Sequence, residues 1–98
     1  MNFNERCYQI LKKVPRGKVT TYCEVAHALK TKAYRAVGNA MNKNPHAPHV
    51  PCHRVVKSNG EVGGFALGTK KKIQMLKKEG VEIVNGKIDL KKYLYKFR

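Results

Sequence analysis

The chain has 98 residues, 42% of them hydrophobic, enough for one compact domain with a modest core and too few for two. Lysine and arginine number 21 against 6 acidic residues, a formal charge of +15 spread along the whole chain. A polyanionic partner, nucleic acid first, is the expectation, with a Lys-rich surface that serves only solubility or heat stability as the bland alternative. No apolar run approaches the ~18 residues of a membrane span and the polar start resembles no signal peptide, which predicts a soluble, intracellular protein without a membrane partner.

Phe3, Cys7, Ile10, Leu11 and Val14 recur at helical spacing until Pro15 and Gly17 stop the pattern, predicting a first amphipathic helix. Thr21 followed by Glu24 has the spacing of a capping box, with Val25, Ala26 and Leu29 as the buried side of a short second helix. After a turn at 30–32, Ala33 to Asn42 places Ala33, Val37, Ala40 and Met41 on one face and Arg35, Asn39 and Asn42 on another. Two short helices about a tight turn, the second with small Ala36 and Gly38 among outward polar residues, read as a helix-turn-helix or as an ordinary helical hairpin.

Pro45, Pro48 and Pro51 exclude a regular helix or central strand from 44–51, so this segment is a shaped loop. Val55-Val56, Ser58-Asn59-Gly60 and Val62 suggest a short hairpin. Thr69 is the expected cap of a helix that buries Ile73, Leu76 and Met75 and stops at Gly80. Asn85-Gly86 between Val81–Val84 and Lys87–Leu90 is the strongest hairpin signal, and the basic, aromatic end reads as a strand or a loose tail. The predicted class is α+β, mainly helical: a winged-helix-like helix-turn-helix domain with small hairpins, occupying residues 1–98 as one unit.

Cys7, Cys23 and Cys52 are an odd set without paired spacing, poor material for a disulfide framework and expected to be free thiols. Cys52 lies beside His53 directly after the proline-constrained loop. It is a candidate nucleophile with His53 as base; an ordinary thiol is only roughly 3% thiolate at neutral pH, and His53, Arg54 and the positive chain could supply the base and the field. The residues alone equally allow Cys52 as a small buried hydrophobe and His53 as a structural histidine. His46, His49, Cys52 and His53 also lie within zinc reach in sequence, although they lack the paired spacing of common sites.

The strings RAVGNAM (Arg35–Met41), Asn44-Pro45, PCHRVV (Pro51–Val56), Ser58-Asn59-Gly60, Val62-Gly63 and Glu79-Gly80 resemble, in order and separation, the active-site domain of the O6-alkylguanine-DNA alkyltransferases. The similarity runs from about Phe3 to Val81. It implies DNA repair by transfer of an alkyl group from O6 of guanine in double-stranded DNA to Cys52, once per molecule because the thioether product has no leaving chemistry. No cofactor and no metal are implied, and the protein is expected to be a monomer.

The resemblance further implies that a water links Glu79 to His53 and that His53 takes the Cys52 proton. Asn44 would hold the recognition helix to the active-site loop. The base leaves the stack to be reached; Arg35 would fill the vacated space, while Tyr22 would help to rotate the nucleotide and donate a proton towards the departing base. Carbonyls of Cys52 and Val55 would accept from the guanine amino group. The helix-turn-helix would enter the minor groove, with Ala36, Gly38 and Asn39 against the backbone. Lys30, Lys32 and Lys43 are candidate phosphate contacts.

Two departures stand out. Phe65-Ala66-Leu67 replaces the tyrosine and polar residue that many relatives bring to the lesion base, so Phe65 and Ala66 are expected there with a different fit for the alkyl group. Many members also carry a preceding N-terminal domain, and none is expected in this chain. A rival reading is a lesion-binding protein of the alkyltransferase-like type, whose known examples lack the cysteine. Another is a helix-turn-helix regulator, which leaves PCHRV and Glu79 without a role.

Overall fold

The computed structural model describes residues 2–44, 49–64 and 68–97. Helix α1, Phe3–Leu11, starts where the Asn2 side chain accepts the Glu5 amide and buries Cys7, Tyr8 and Leu11. Spacings of three and four place Cys7, Leu11 and Val14 on one side, and Val14 remains buried beyond the helix end. Tyr8 belongs to the same core, because its ring packs inside while its hydroxyl donates to the Ala40 carbonyl at 2.8 Å. A phenol can be buried this way only with such a partner.

Strand β1, Thr20–Thr21, runs directly into α2, Tyr22–Ala28. The Thr21 hydroxyl accepts the Glu24 amide at 3.1 Å, which is one half of the expected capping box. Lys30, with φ of 58°, ends the helix in the left-handed region: its amide donates to the His27 carbonyl and the Thr31 amide to that of Ala26. This is a Schellman turn with lysine where glycine is usual. Helix α3, Tyr34–Asn42, follows and packs on α1 and α2. Ala33, expected inside, is instead its exposed cap residue, while Val37, Ala40 and Met41 are buried.

The 3-10 turn Cys52–Arg54 leads into strand β2, Val55–Val56, which pairs in parallel with β1 in the register Thr20 with Val55 and Thr21 with Val56. The expected local hairpin is therefore corrected: the turn at 57–60 forms, with Lys57 amide to Glu61 carbonyl at 2.9 Å, but the ladder partner of β2 lies 35 positions earlier. Side chains alternate along a strand, so Val55 joins a cluster built by α1, α2 and α3, and Val56 joins a second one with Val19, Val62, Leu76, Val81, Ile88 and Tyr93.

Helix α4, Thr69–Lys78, has Gly68 as its cap residue in place of the expected Thr69. Thr69 is the first helical residue, and no side chain caps this end among the described residues. Asn85 and Gly86, with φ of 52° and 73°, form the expected turn, closed by reciprocal Val84 and Lys87 hydrogen bonds. Its strands are no longer than isolated bridges. The return limb pairs with 60–62 through Gly60 and Gly86 carbonyls, and then Asp89 caps the short helix α5, Leu90–Tyr93, ending the expected strand. Gly60 sits at φ of 91°, where a Cβ would lie 2.7 Å from the Ile88 carbonyl oxygen.

The chain end, expected as a strand or a loose tail, packs against the core: Leu94 bridges Val19, and half-buried Tyr95 and Phe97 lie on the first cluster. The class is α+β and mainly helical. Among the described residues no helix is long and apolar enough to cross a membrane.

Candidate active site

Cys52 opens the 3-10 turn at the junction of the two clusters and is 4% exposed; His53 is 3% exposed. The turn is fixed from both sides. The Val50 carbonyl accepts the Cys52 amide at 2.8 Å and also the Asn44 side-chain amide at 2.9 Å. Asn44 follows α3, so the end of that helix is tied to the approach to Cys52 across the intervening loop. Pro45, His46 and Pro48 of that loop lie outside the described residues.

Glu79, just past the end of α4, reaches the same turn. Its Oε2 lies 3.0 Å from His53 Nε2, so the expected intervening water is corrected to a direct hydrogen bond. Arg54 donates to both carboxylate oxygens, at 2.9 and 2.7 Å, and to the Val14 carbonyl at 2.8 Å. Burial pushes the Glu79 carboxyl up, but the bonds and charges of Arg54 and His53 together hold it below the ordinary value. Burial is also the main effect on His53 and lowers its affinity for a proton; contact with Glu79 opposes this, and the charges of Arg54 and Lys72 add to it. The imidazole is therefore neutral at neutral pH. An ionised carboxylate only accepts, so Nε2 carries the hydrogen and Nδ1 keeps a free lone pair.

The parallel pairing of β1 with β2 sets the start of α2 beside the turn. Tyr22, the first residue of α2, is half-buried against the first cluster, and burial followed by the Cys52 charge raises its phenol. The two carbonyls expected to read a guanine amino group already have partners within the chain: that of Cys52 accepts the Val55 amide, and that of Val55 accepts Lys72 Nζ at 2.6 Å. Each keeps a second lone pair.

Arg35 and Asn39 are exposed on α3, and Ala36 and Gly38 are half-buried there. A Cβ at Gly38 would meet nothing within 4 Å among the described residues. Glycine in a helix costs about 1 kcal/mol against alanine, and packing among the described residues gives no reason for it. Phe65 and Ala66 lie outside the described residues, and no group of three metal-ligating side chains occurs among the described ones.

Sequence reasoning missed Lys72. It is 0% exposed on the inner face of α4, one turn before buried Leu76, and donates to the carbonyls of Val55 and Gly64. The spacing of four from Leu76 was the available signal. Arg54, read only as a source of positive field, is committed to Glu79 and Val14.

The family model described as 6-O-methylguanine DNA methyltransferase, DNA binding domain, matches residues 2–81. The bifunctional methyltransferase/endonuclease of Picrophilus torridus is 44% identical over 89 residues, 90% of this chain and 30% of that protein. The methylated-DNA–protein-cysteine methyltransferase of Sulfolobus acidocaldarius is 44% identical over 82 residues, 84% of this chain and 52% of that one. The chain thus spans about half or less of the length of these relatives. Among solved structures, the O6-methylguanine-DNA methyltransferase of Pyrococcus kodakaraensis superimposes with a TM-score of 0.76 at 45% identity, over 83% of this chain and 47% of that one. S. pombe Atl1 in complex with damaged DNA containing O6-carboxymethylguanine superimposes with a TM-score of 0.86 at 32% identity, over 97% of this chain and 95% of that one. With the matched motifs folded around one buried cysteine, the chain belongs to the 6-O-methylguanine DNA methyltransferase family, in its DNA-binding domain.

Proposed function

We propose that this protein repairs DNA by moving an alkyl group from O6 of guanine in a duplex to Cys52, irreversibly and once per molecule. The observation that carries the reading is the ordered chain Arg54, Glu79, His53 beside Cys52, in which Glu79 fixes the imidazole with Nδ1 as its free acceptor. Such an orienter, base and nucleophile set is the arrangement that activates a thiol. The Cys52 proton passes to His53. The thiolate sulfur attacks the alkyl carbon as the carbon–O6 bond breaks, the electron pair stays with the guanine, and that base recovers one proton, for which the Tyr22 hydroxyl is the donor we propose.

The partner is the minor groove of double-stranded DNA, with α3 laid against the backbone. Gly38, whose missing Cβ no described residue requires, and exposed Arg35 favour this face; Arg35 occupies the space left by the extruded nucleotide. Lys30, held outward by its left-handed turn, and Lys32 suit phosphates. The chemistry we propose needs no cofactor.

A second reading is lesion binding without transfer. The near end-to-end match to S. pombe Atl1 with its damaged duplex favours it, and Cys52 in its activating surroundings weighs against it. Intact-protein mass spectrometry after incubation with a duplex carrying one O6-methylguanine separates the two. Transfer adds one methyl to Cys52, absent from a Cys52→Ala control and from undamaged DNA; unmodified protein that holds the lesion selects the second reading.

A further inference from the structure

Besides buried Lys72, helix α4 carries Lys70, Lys71, Lys77 and Lys78, whereas α3 carries a single cation, Arg35. Lys70 with Lys77 and Lys71 with Lys78 stand about two turns apart with Gln74 between them, so the four exposed lysines form one stripe opposite buried Leu76. Lys71, Gln74, Met75, Lys77 and Lys78 line a groove of about 410 Å³ on that face. A helix N-terminus attracts anions and repels cations, yet the first turn of α4 holds no acidic residue, and no side chain caps it among the described residues. Glu79, the acid nearest in sequence, is engaged by His53 and Arg54, and among the described residues no ion pair reaches the stripe. At the far end Arg16 donates to the Lys78 carbonyl at 3.0 Å and adds a further cation. Cations gathered on one face, two of them at the unfavourable end of a helix dipole, are the arrangement that a polyanion stabilises.

We propose that the α4 stripe holds the phosphate backbone of a second segment of duplex DNA while α3 engages the first. Only the duplex at α3 rests on the function proposed above. Side chains alternate along a strand: Val55 joins the cluster that holds Val37 and Met41 of α3, and Val56 joins the one that holds Leu76 of α4. The two helices therefore lie on opposite sides of the paired strands, and the stripe, opposite Leu76, faces away from α3. A straight duplex seated on α3 leaves the stripe free, so its occupant is a separate stretch of the same polyanion. Flexible lysine ammoniums suit backbone phosphates rather than base edges, which makes this contact indifferent to sequence and to damage. A molecule that holds two segments passes from one to the next without release.

Sedimentation velocity on the full chain, with an excess of two differently labelled short undamaged duplexes, counts the duplexes held by each protein. At low salt the parent should hold two, and both labels should sediment together. The combined variant Lys70→Gln, Lys71→Gln, Lys77→Gln and Lys78→Gln should hold one. Binding of the second duplex by the parent should weaken with salt by about 3 to 4 in log K per unit of log salt, at roughly 0.9 for each phosphate neutralised. A control of the same net charge, Lys12→Gln, Lys13→Gln, Lys91→Gln and Lys96→Gln, removes exposed cations off the stripe and should still hold two. A parent that holds one duplex throughout overturns the proposal, even if the α4 variant does not fold. An α4 variant that holds two overturns it as well, and so does a control that loses the second duplex, since the charge of the whole chain would then be the cause. Methyl transfer from an O6-methylguanine duplex is run alongside. A parent that transfers but holds one duplex keeps the repair function and ends the role of the stripe; one that holds two and transfers nothing does the reverse.

Discussion

His53 Nε2 meets Glu79 Oε2 at 3.0 Å, and the same oxygen takes Arg54 Nη2 at 2.7 Å. The side chain of Glu79 is 10% exposed, so this carboxylate works in a largely dry setting where an unpaired partner is costly. Arg54 keeps it ionised, and its ionised state keeps the hydrogen of His53 on Nε2. Two residues adjacent in sequence thus bond one acid, and both meet its Oε2.

Glu79→Gln should slow methyl transfer by roughly a hundredfold, the range expected when a positioned base loses its orienter. Stability should fall by about 2–3 kcal/mol as Arg54 loses its charged partner. Single-turnover transfer and urea unfolding check the two effects. The folded Glu79 carboxyl lies below its unfolded value, so its stabilisation is fully present above the ordinary carboxylate range of about 4 and is lost as pH falls through the lower folded value. The stability difference between parent and Glu79→Gln should shrink in that acid window.

Lys72 gives the opposite flank. Burial lowers its folded pKa to about 8, against an ordinary 10.5. Between these values the unfolded chain binds the extra proton, so the unfolding free energy of the parent should rise with pH relative to Lys72→Met, by up to about 3 kcal/mol. Urea titrations from pH 7 to 10.5 measure it; a difference that stays flat across this range contradicts the expectation.

Gly38→Ala should stabilise the protein by about 0.5–1 kcal/mol, since the helix gains a better former and the new methyl meets nothing. Duplex affinity should drop at the same time. Thermal melting together with fluorescence anisotropy on a labelled duplex shows whether the two move in opposite directions.

Arg35→Ala removes an exposed side chain with no hydrogen bond or ion pair among the described residues. Stability should stay within about 0.5 kcal/mol. Methyl transfer from duplex DNA should fall by at least about tenfold, while reaction of Cys52 with iodoacetamide stays unchanged. Equal loss in both reactions would place the effect of Arg35 on the thiol rather than on the nucleotide.

The sequence by itself determined the local elements and the chemistry at stake. Helical spacing marked α1 to α4, Thr21 with Glu24 marked the start of α2, and Asn85-Gly86 marked a turn whose two positive φ angles both residues tolerate. The string around Cys52 and His53 named the candidate pair for the proposed transfer, because these are properties of neighbours along the chain. Tertiary structure decided what depends on distant partners. The parallel register of Thr20–Thr21 with Val55–Val56 joins segments 35 positions apart and places Tyr22 beside the cysteine, which no local pattern encodes. The same holds for the direct Glu79 contact in place of a water, for the commitment of Arg54, and for Lys72. A lysine reads as solvated surface until the fold supplies two carbonyls for its ammonium, and only then does burying its charge become tolerable.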